Sequence, residues 1–325
     1  MKDNINFHRL DIRIGLFEVL ICLLVAILIV NLQFLVFDQI EFYSDNYYYK
    51  LAFEELRLKD NIALSYLFFV WRTSGSEPIS FFIFYLFSFI FDYKTFIFYV
   101  DVIFYTCICI FFRKQRMNFL FVFYFAITNY YFLIMSIGVH RIKLAFIFFF
   151  LILIVRKRWR KIFMVITPLV HFQMFSVYFS ILIGIFLDKL FEGKLSRFTL
   201  IAIVGFTVLI IALASFTKIM IKFFGKLDFY VLDSLVSFLL AFLFIKIINI
   251  KNRQVILYLV CISIFTSIVG GYRMNMVLFL SFIVITAYIN QRISVIFNFF
   301  ASFYMMLKIY ILYNGHYLEN LIYNK

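Results

Sequence analysis

The sequence predicts an all-α, polytopic membrane protein: a helical bundle of about 10–12 transmembrane helices with an outer loop after the first span. Three observations predict it. The chain is 65% hydrophobic and 23% aromatic over 325 residues, against about 45–50% apolar in a soluble domain. Its mean hydropathy is +1.01. The apolar residues come in successive runs of near-spanning length separated by short charged stretches, a pattern that needs lipid as its solvent.

Ile14–Phe37 is the expected first span, with Glu18 near its start and Lys2, Arg9 and Arg13 holding the N-terminus in the cytoplasm. Residues 38–78 form the first external loop. Ile79–Phe112 is expected to cross once, its first part, ISFFIFYLFSFIF, being re-entrant or lying on the outer interface because it is too short to span. Arg113, Lys114 and Arg116 then fall in the cytoplasm. Met117–Ile137 goes out, GVHRIK (138–143) is the short outer turn, Leu144–Val155 returns, and RKRWRK (156–161) is the strongest cytoplasmic marker. Ile162–Leu187 reads as two short crossings with a break near His171, favoured by Pro168. The later spans are Phe198–Thr217, Phe229–Ile248, Gln254–Gly271, Met274–Asn290 and Ile293–Tyr313. This makes about eleven spans with the C-terminus outside, in one integral membrane domain over 1–325.

The net charge of +14 is read as loop charge obeying the positive-inside rule, with no nucleic-acid partner. Cys22, Cys107, Cys109 and Cys261 all lie in apolar runs and read as packing residues. There is no P-loop, no paired-cysteine zinc pattern and no GxSxG, so neither a metal nor a cofactor is expected. The 50 Phe are read as bulk apolar surface and not as a binding box.

Four polar features converge on the expected external face: YSDNYYYKLAFEELRL (43–58), GVHRIK, His171 in PLVHFQ, and GGYRMN (270–275). Ionisable groups at membrane depth are expensive and often mark a substrate path. Arg141 is either a snorkelling interfacial residue or an anion clamp, since a guanidinium stays charged and grips phosphate bidentately. Arg273, after Gly270-Gly271-Tyr272, opens a second helix from the same face, and the two arginines together favour an anion site. Lys143 is a weaker third ligand, with snorkelling as its alternative. His171 is a packing residue or a base at a helix break; His140 reads as a flank or cap for Arg141. Asp45, Tyr47 and Tyr48 read as interfacial anchors or as a carbohydrate surface. Leu51, Glu54, Glu55 and Leu58 have the spacing of an amphipathic outer helix. SYLFFVW with Arg72 is apolar but too short to span. Glu77-Pro78 starts a helix, where proline suits the first turn and an acid favours the dipole.

Taken in order, SDNYYY, Glu77-Pro78, Arg141…Ala145, a cytoplasmic basic loop, His171 and Tyr272-Arg273 resemble the EpsG-type, Wzy-like polymerases of bacterial O-antigen and capsule repeat units. The likeness covers about residues 40 to 290 as an ordered pattern of short motifs. Family members often show Arg-Gln and then Ala, where this chain has Arg141-Ile142-Lys143-Leu144-Ala145; a Ser commonly sits two residues past the His, where this chain has Gln173. The resemblance implies a GT-C-like bundle in the bacterial inner membrane that moves a growing glycan from undecaprenyl pyrophosphate onto a new lipid-linked repeat unit, without ATP. It implies Arg141, Arg273 and Lys143 on pyrophosphate, His171 or Asp45 as base, and Tyr47, Tyr48 and Tyr272 on the glycan. Membrane lipid, a flippase and a chain-length regulator are the implied partners. Two other classes stay open: a flippase for lipid-linked sugars, which would show an internal repeat not seen here, and a single-sugar polyprenyl-phosphate-dependent glycosyltransferase, for which Asp38, Glu41 and Asp45 are the acidic residues.

Overall fold

The computed structural model describes residues 15–37, 45–58, 61–155, 157–191, 253–269 and 272–289, with isolated positions at 242 and between 295 and 310. Among the described residues all regular structure is helical. The chain divides into two compact units, Phe7–Phe172 with Asn290–Lys325, and Met1–Asn6 with Gln173–Ile289. Each is described by itself.

The first unit holds α1 (Leu16–Phe37), α2 (Asp45–Leu56), α3 (Ile62–Thr73), α4 (Pro78–Ser88), α5 (Tyr93–Lys114), α6 (Phe119–Thr128), α7 (Tyr130–Ile137), α8 (His140–Ile154) and α9 (Lys157–Val170). Short polar residues start these helices. Asn61, Asp92, Asn118 and Asn129 each accept a hydrogen bond from backbone N–H groups of the first turn of α3, α5, α6 and α7, which satisfies donors that a helix cannot pair internally. Pro78 occupies the first turn of α4, where its missing N–H costs nothing.

Among the described residues two helices are long and apolar enough to cross a bilayer, Leu16–Leu35 within α1 and Tyr93–Lys114, which is α5; α6 and α7 make a third only as a pair bent by 70°. The expected straight span Met117–Ile137 is therefore broken, and Asn129 is the reason. Its carboxamide oxygen takes Tyr131 N–H at 3.0 Å and Phe132 N–H at 3.2 Å, starting a new helix instead of continuing the old one. α1 runs antiparallel to α5, with Glu18 against Arg113 at one end and Phe34 against Phe98 towards the other. α8 runs parallel to α5, pairing Lys143 with Asp101 and Lys114 with the Ile154 carbonyl. α9 returns beside α8, Phe163 against Phe148.

The expected outer turn GVHRIK is mostly helix. Only Gly138 and Val139 lie outside it, and His140 opens α8. Its basic residues tolerate helical burial because each finds its own partner, described below. The expected basic loop is likewise helical from Lys157 onward. Pro168 lies inside α9, and the break follows Val170. The ring removes one N–H only, and His171 N–H still reaches the Thr167 carbonyl at 3.2 Å, so the helix runs through the proline to its last turn. α8, with 15 residues, rises about 22 Å, short of the roughly 30 Å hydrocarbon core.

The second unit holds α10 (Met174–Phe191), α11 (Arg253–Val269) and α12 (Tyr272–Ile289). The Tyr258 hydroxyl donates to Ser281 Oγ at 2.7 Å between α11 and α12. The expected spans Phe198–Thr217 and Phe229–Ile248, and most of Ile293–Tyr313, lie outside the described residues. All four cysteines are buried, unbonded thiols, in keeping with a packing role.

Candidate functional site

α8 carries three basic side chains within its first turn, and the first unit buries all of them. The loop between α3 and α4 is built around the second, Arg141. Ser74 ends α3 with φ of 52°, turning the chain so that the Thr73 carbonyl and the Glu77 carboxylate face one point. Arg141 fills that point. Its Nη2 donates to Thr73 O at 3.2 Å, its Nη1 donates to Glu77 Oε2, and its Nε donates to the Tyr49 hydroxyl of α2 at 2.6 Å. A Cβ on Gly75 would lie 1.3 Å from Nη1, so the guanidinium occupies the space a side chain at 75 would need. The Tyr66 hydroxyl donates to the Ser76 carbonyl at 2.7 Å and steadies the loop.

Glu77 has a second partner. Its Oε1 accepts from His171 Nδ1 at 2.8 Å. His171 follows directly on α9, and the end of that helix is docked on α4, where Ser80 Oγ donates to the Val170 carbonyl at 2.7 Å. One carboxylate thus bridges Arg141 and His171, all three side chains being buried. Burial alone would raise the Glu77 carboxyl. The His171 hydrogen bond and the Arg141 charge outweigh it and hold the group at about 2. The bond to Glu77 fixes the imidazole proton on Nδ1 and puts the ring's lone pair on Nε2.

The other two basic residues of α8 have separate seats. Lys143 is fully buried and donates to Asp101 Oδ1 of α5. The snorkelling alternative does not hold, because α5 supplies a counter-ion inside the bundle. Behind that pair, the Tyr105 hydroxyl accepts from Ser136 Oγ at 3.2 Å and from Gln33 Nε2 at 2.6 Å. His140 meets Asn46 Oδ1 through Nε2 at 2.7 Å, and the Tyr93 hydroxyl donates to the same oxygen.

Of the residues singled out in the sequence, Arg141 and His171 come together through Glu77, for which the sequence offers only a local role at the helix start. Glu77 makes no side-chain cap bond; its carboxylate is committed to the two basic partners. Tyr47 and Tyr48 are exposed and pack edge-to-face on each other, while Tyr49 and Asn46 turn inward. Their signal is the helical spacing of Asn46, Tyr49, Phe53 and Leu56, all buried. The side chains of Asp45, Tyr272 and Arg273 lie outside the described residues, as do Asp38 and Glu41. No group of three or more metal-ligating side chains occurs among the described residues. Comparison with family models, curated proteins and solved structures finds no match.

Proposed function

We propose that this chain is a membrane glycosyltransferase of the polysaccharide-polymerase type, joining undecaprenyl-pyrophosphate-linked repeat units at the outer face of the bacterial inner membrane. The observation that carries the reading is the buried Glu77 carboxylate held at once by Arg141 and His171. Charged groups buried in so apolar a bundle are costly and mark a path for a polar substrate. The groups lie at the end of α8 and α9 away from the basic run 156–161, which is the outer end if that run is cytoplasmic.

The chemistry suits these residues. The acceptor hydroxyl oxygen forms a bond to the donor's anomeric carbon as the bond from that carbon to the pyrophosphate oxygen breaks. The pyrophosphate leaves with the electron pair. His171, oriented by Glu77, takes the acceptor's proton. A guanidinium has five N–H donors; three on Arg141 are used by the protein, and the other two suit the charge growing on the leaving group. In this reading Asp45 is an alternative base, and Tyr47 and Tyr48 are glycan contacts. The about eleven spans and the GT-C-like arrangement belong to the same proposal.

Deleting the gene in its host and resolving surface polysaccharide on a gel tests the reading. Ladders that collapse to a single repeat unit on the acceptor support a polymerase. Loss of all surface units, with lipid-linked repeats stranded inside, supports a flippase instead.

A further inference from the structure

We propose that Nδ1 of His140 is a buried hydrogen-bond acceptor for a hydroxyl group of the ligand, a contact next to the Arg141 seat. The inference rests on the glycan-handling reading above and adds to it a specific recognition atom.

Two observations carry it. The first is the state of the ring. Asn46 Oδ1 can only accept, and it meets His140 Nε2 at 2.7 Å, so the proton of the neutral imidazole sits on Nε2 and Nδ1 presents a bare lone pair. The second is that Nδ1 is buried with no hydrogen-bond partner among the described residues, in a side chain only 1% exposed. Buried polar atoms are almost always paired, and leaving one unmade is costly.

The surroundings select the class of visitor. The His140 ring meets Tyr49 edge-on at 5.4 Å and Tyr93 at 6.1 Å. Tyr49 in turn bonds Arg141 through its hydroxyl, which ties His140 to the Glu77 group by one shared side chain. A lone pair repels an anion, so pyrophosphate is excluded at this atom. A metal ion would need further ligands, and no group of three is found among the described residues. A neutral O–H donor between aromatic edges remains, the chemistry of a sugar hydroxyl or of an ordered water; a water at Nδ1 would leave the polymer ladder of His140→Gln intact.

Two substitutions separate this role from a structural one, tested in the full chain in its host. In His140→Gln the amide reaches the Nε2 position and keeps the bond to Asn46, but nothing stands at Nδ1. In His140→Asn an oxygen stands near Nδ1 and the Asn46 bond is lost. The proposal expects His140→Gln to purify with a near-native melting temperature and to lose polymer roughly tenfold or more. It expects His140→Asn to melt lower yet keep more polymer per folded molecule. A full ladder from His140→Gln overturns it. If Glu77→Gln abolishes the ladder while His140→Gln does not, the His140 inference alone falls; if neither changes it, the polymerase reading falls too. Should His140→Gln not fold, ¹⁵N-histidine spectra of the unaltered protein decide, with lipid-linked repeat units extracted from the deletion strain as probe. The bare Nδ1 resonance shifts on addition if it accepts a hydroxyl, and an unmoved resonance overturns the proposal.

Discussion

Glu77 and His171 meet at 2.8 Å across 94 residues of sequence, and the same carboxylate holds Arg141 through its other oxygen. Glu77 is held at about 2, well below its ordinary 4.5. A depressed carboxyl stabilises the fold fully above the ordinary value and loses that contribution as pH falls towards the depressed one. The melting temperature of the purified protein should therefore drop between about pH 4.5 and 2. Glu77→Gln should start lower at neutral pH and show a flatter profile across that window. Parallel profiles for the two proteins would contradict the assignment.

Gly75 should be as sensitive as the charged residues. In Gly75→Ala the new methyl claims the position of Arg141 Nη1, and the guanidinium, pinned by Tyr49, Thr73 and Glu77, cannot yield without breaking the group. Overpacking of this kind costs about 1–3 kcal/mol. The expected result is a lower melting temperature together with a loss of polymer, the same loss expected of Arg141→Ala, which removes the guanidinium itself. Gly15, which has open space around it, is the control position for the same substitution.

The Lys143–Asp101 pair makes a different prediction, because it lies apart from the Glu77 group. Asp101→Asn leaves a buried ammonium without its counter-ion and should destabilise by about 3–5 kcal/mol, whereas replacing both residues by apolar ones of similar size should be close to neutral. Thermal unfolding of the single and double variants in detergent checks this. A double variant as unstable as the single one would mean that the charges serve more than each other.

Three consecutive tyrosines should behave unequally. Tyr49→Phe removes the hydroxyl bonded to Arg141, and hydrogen bonds to charged groups contribute about 1.5–3 kcal/mol. Tyr47→Phe and Tyr48→Phe alter exposed side chains and should change stability by about 0.5 kcal/mol or less. If Tyr47 or Tyr48 grips the glycan, its loss should appear in polymer length at unchanged stability.

Much of the scaffold was legible. The apolar run from Ile14 marks α1, and the second part of the broken stretch Ile79–Phe112 marks α5, which starts at the break beside Asp92; the break at His171 is visible in TPLVHFQ, although Pro168 sits inside the helix that the break ends. The site was half legible. Arg141 and His171 stood out because charge at membrane depth needs a reason. Glu77 did not, because Glu-Pro at a helix start has a sufficient local explanation, and its partners lie 64 and 94 residues away. GVHRIK looked like a turn because three basic residues in one helical turn are too costly without partners. Those partners, Asn46, Glu77 and Asp101, come from three other elements and only the tertiary fold reveals them. Tyr49 was the recoverable miss, since counting helical phase from Leu56 and Phe53 turns it inward and leaves Tyr47 and Tyr48 outside.

The most direct test of the account replaces one oxygen. Glu77→Gln, expressed to the level of the unaltered protein in a deletion strain and scored by the surface-polysaccharide ladder, keeps the shape of the side chain and removes the charge that joins Arg141 to His171. The account predicts a single repeat unit on the acceptor and no ladder. A ladder of normal length from that variant would contradict it.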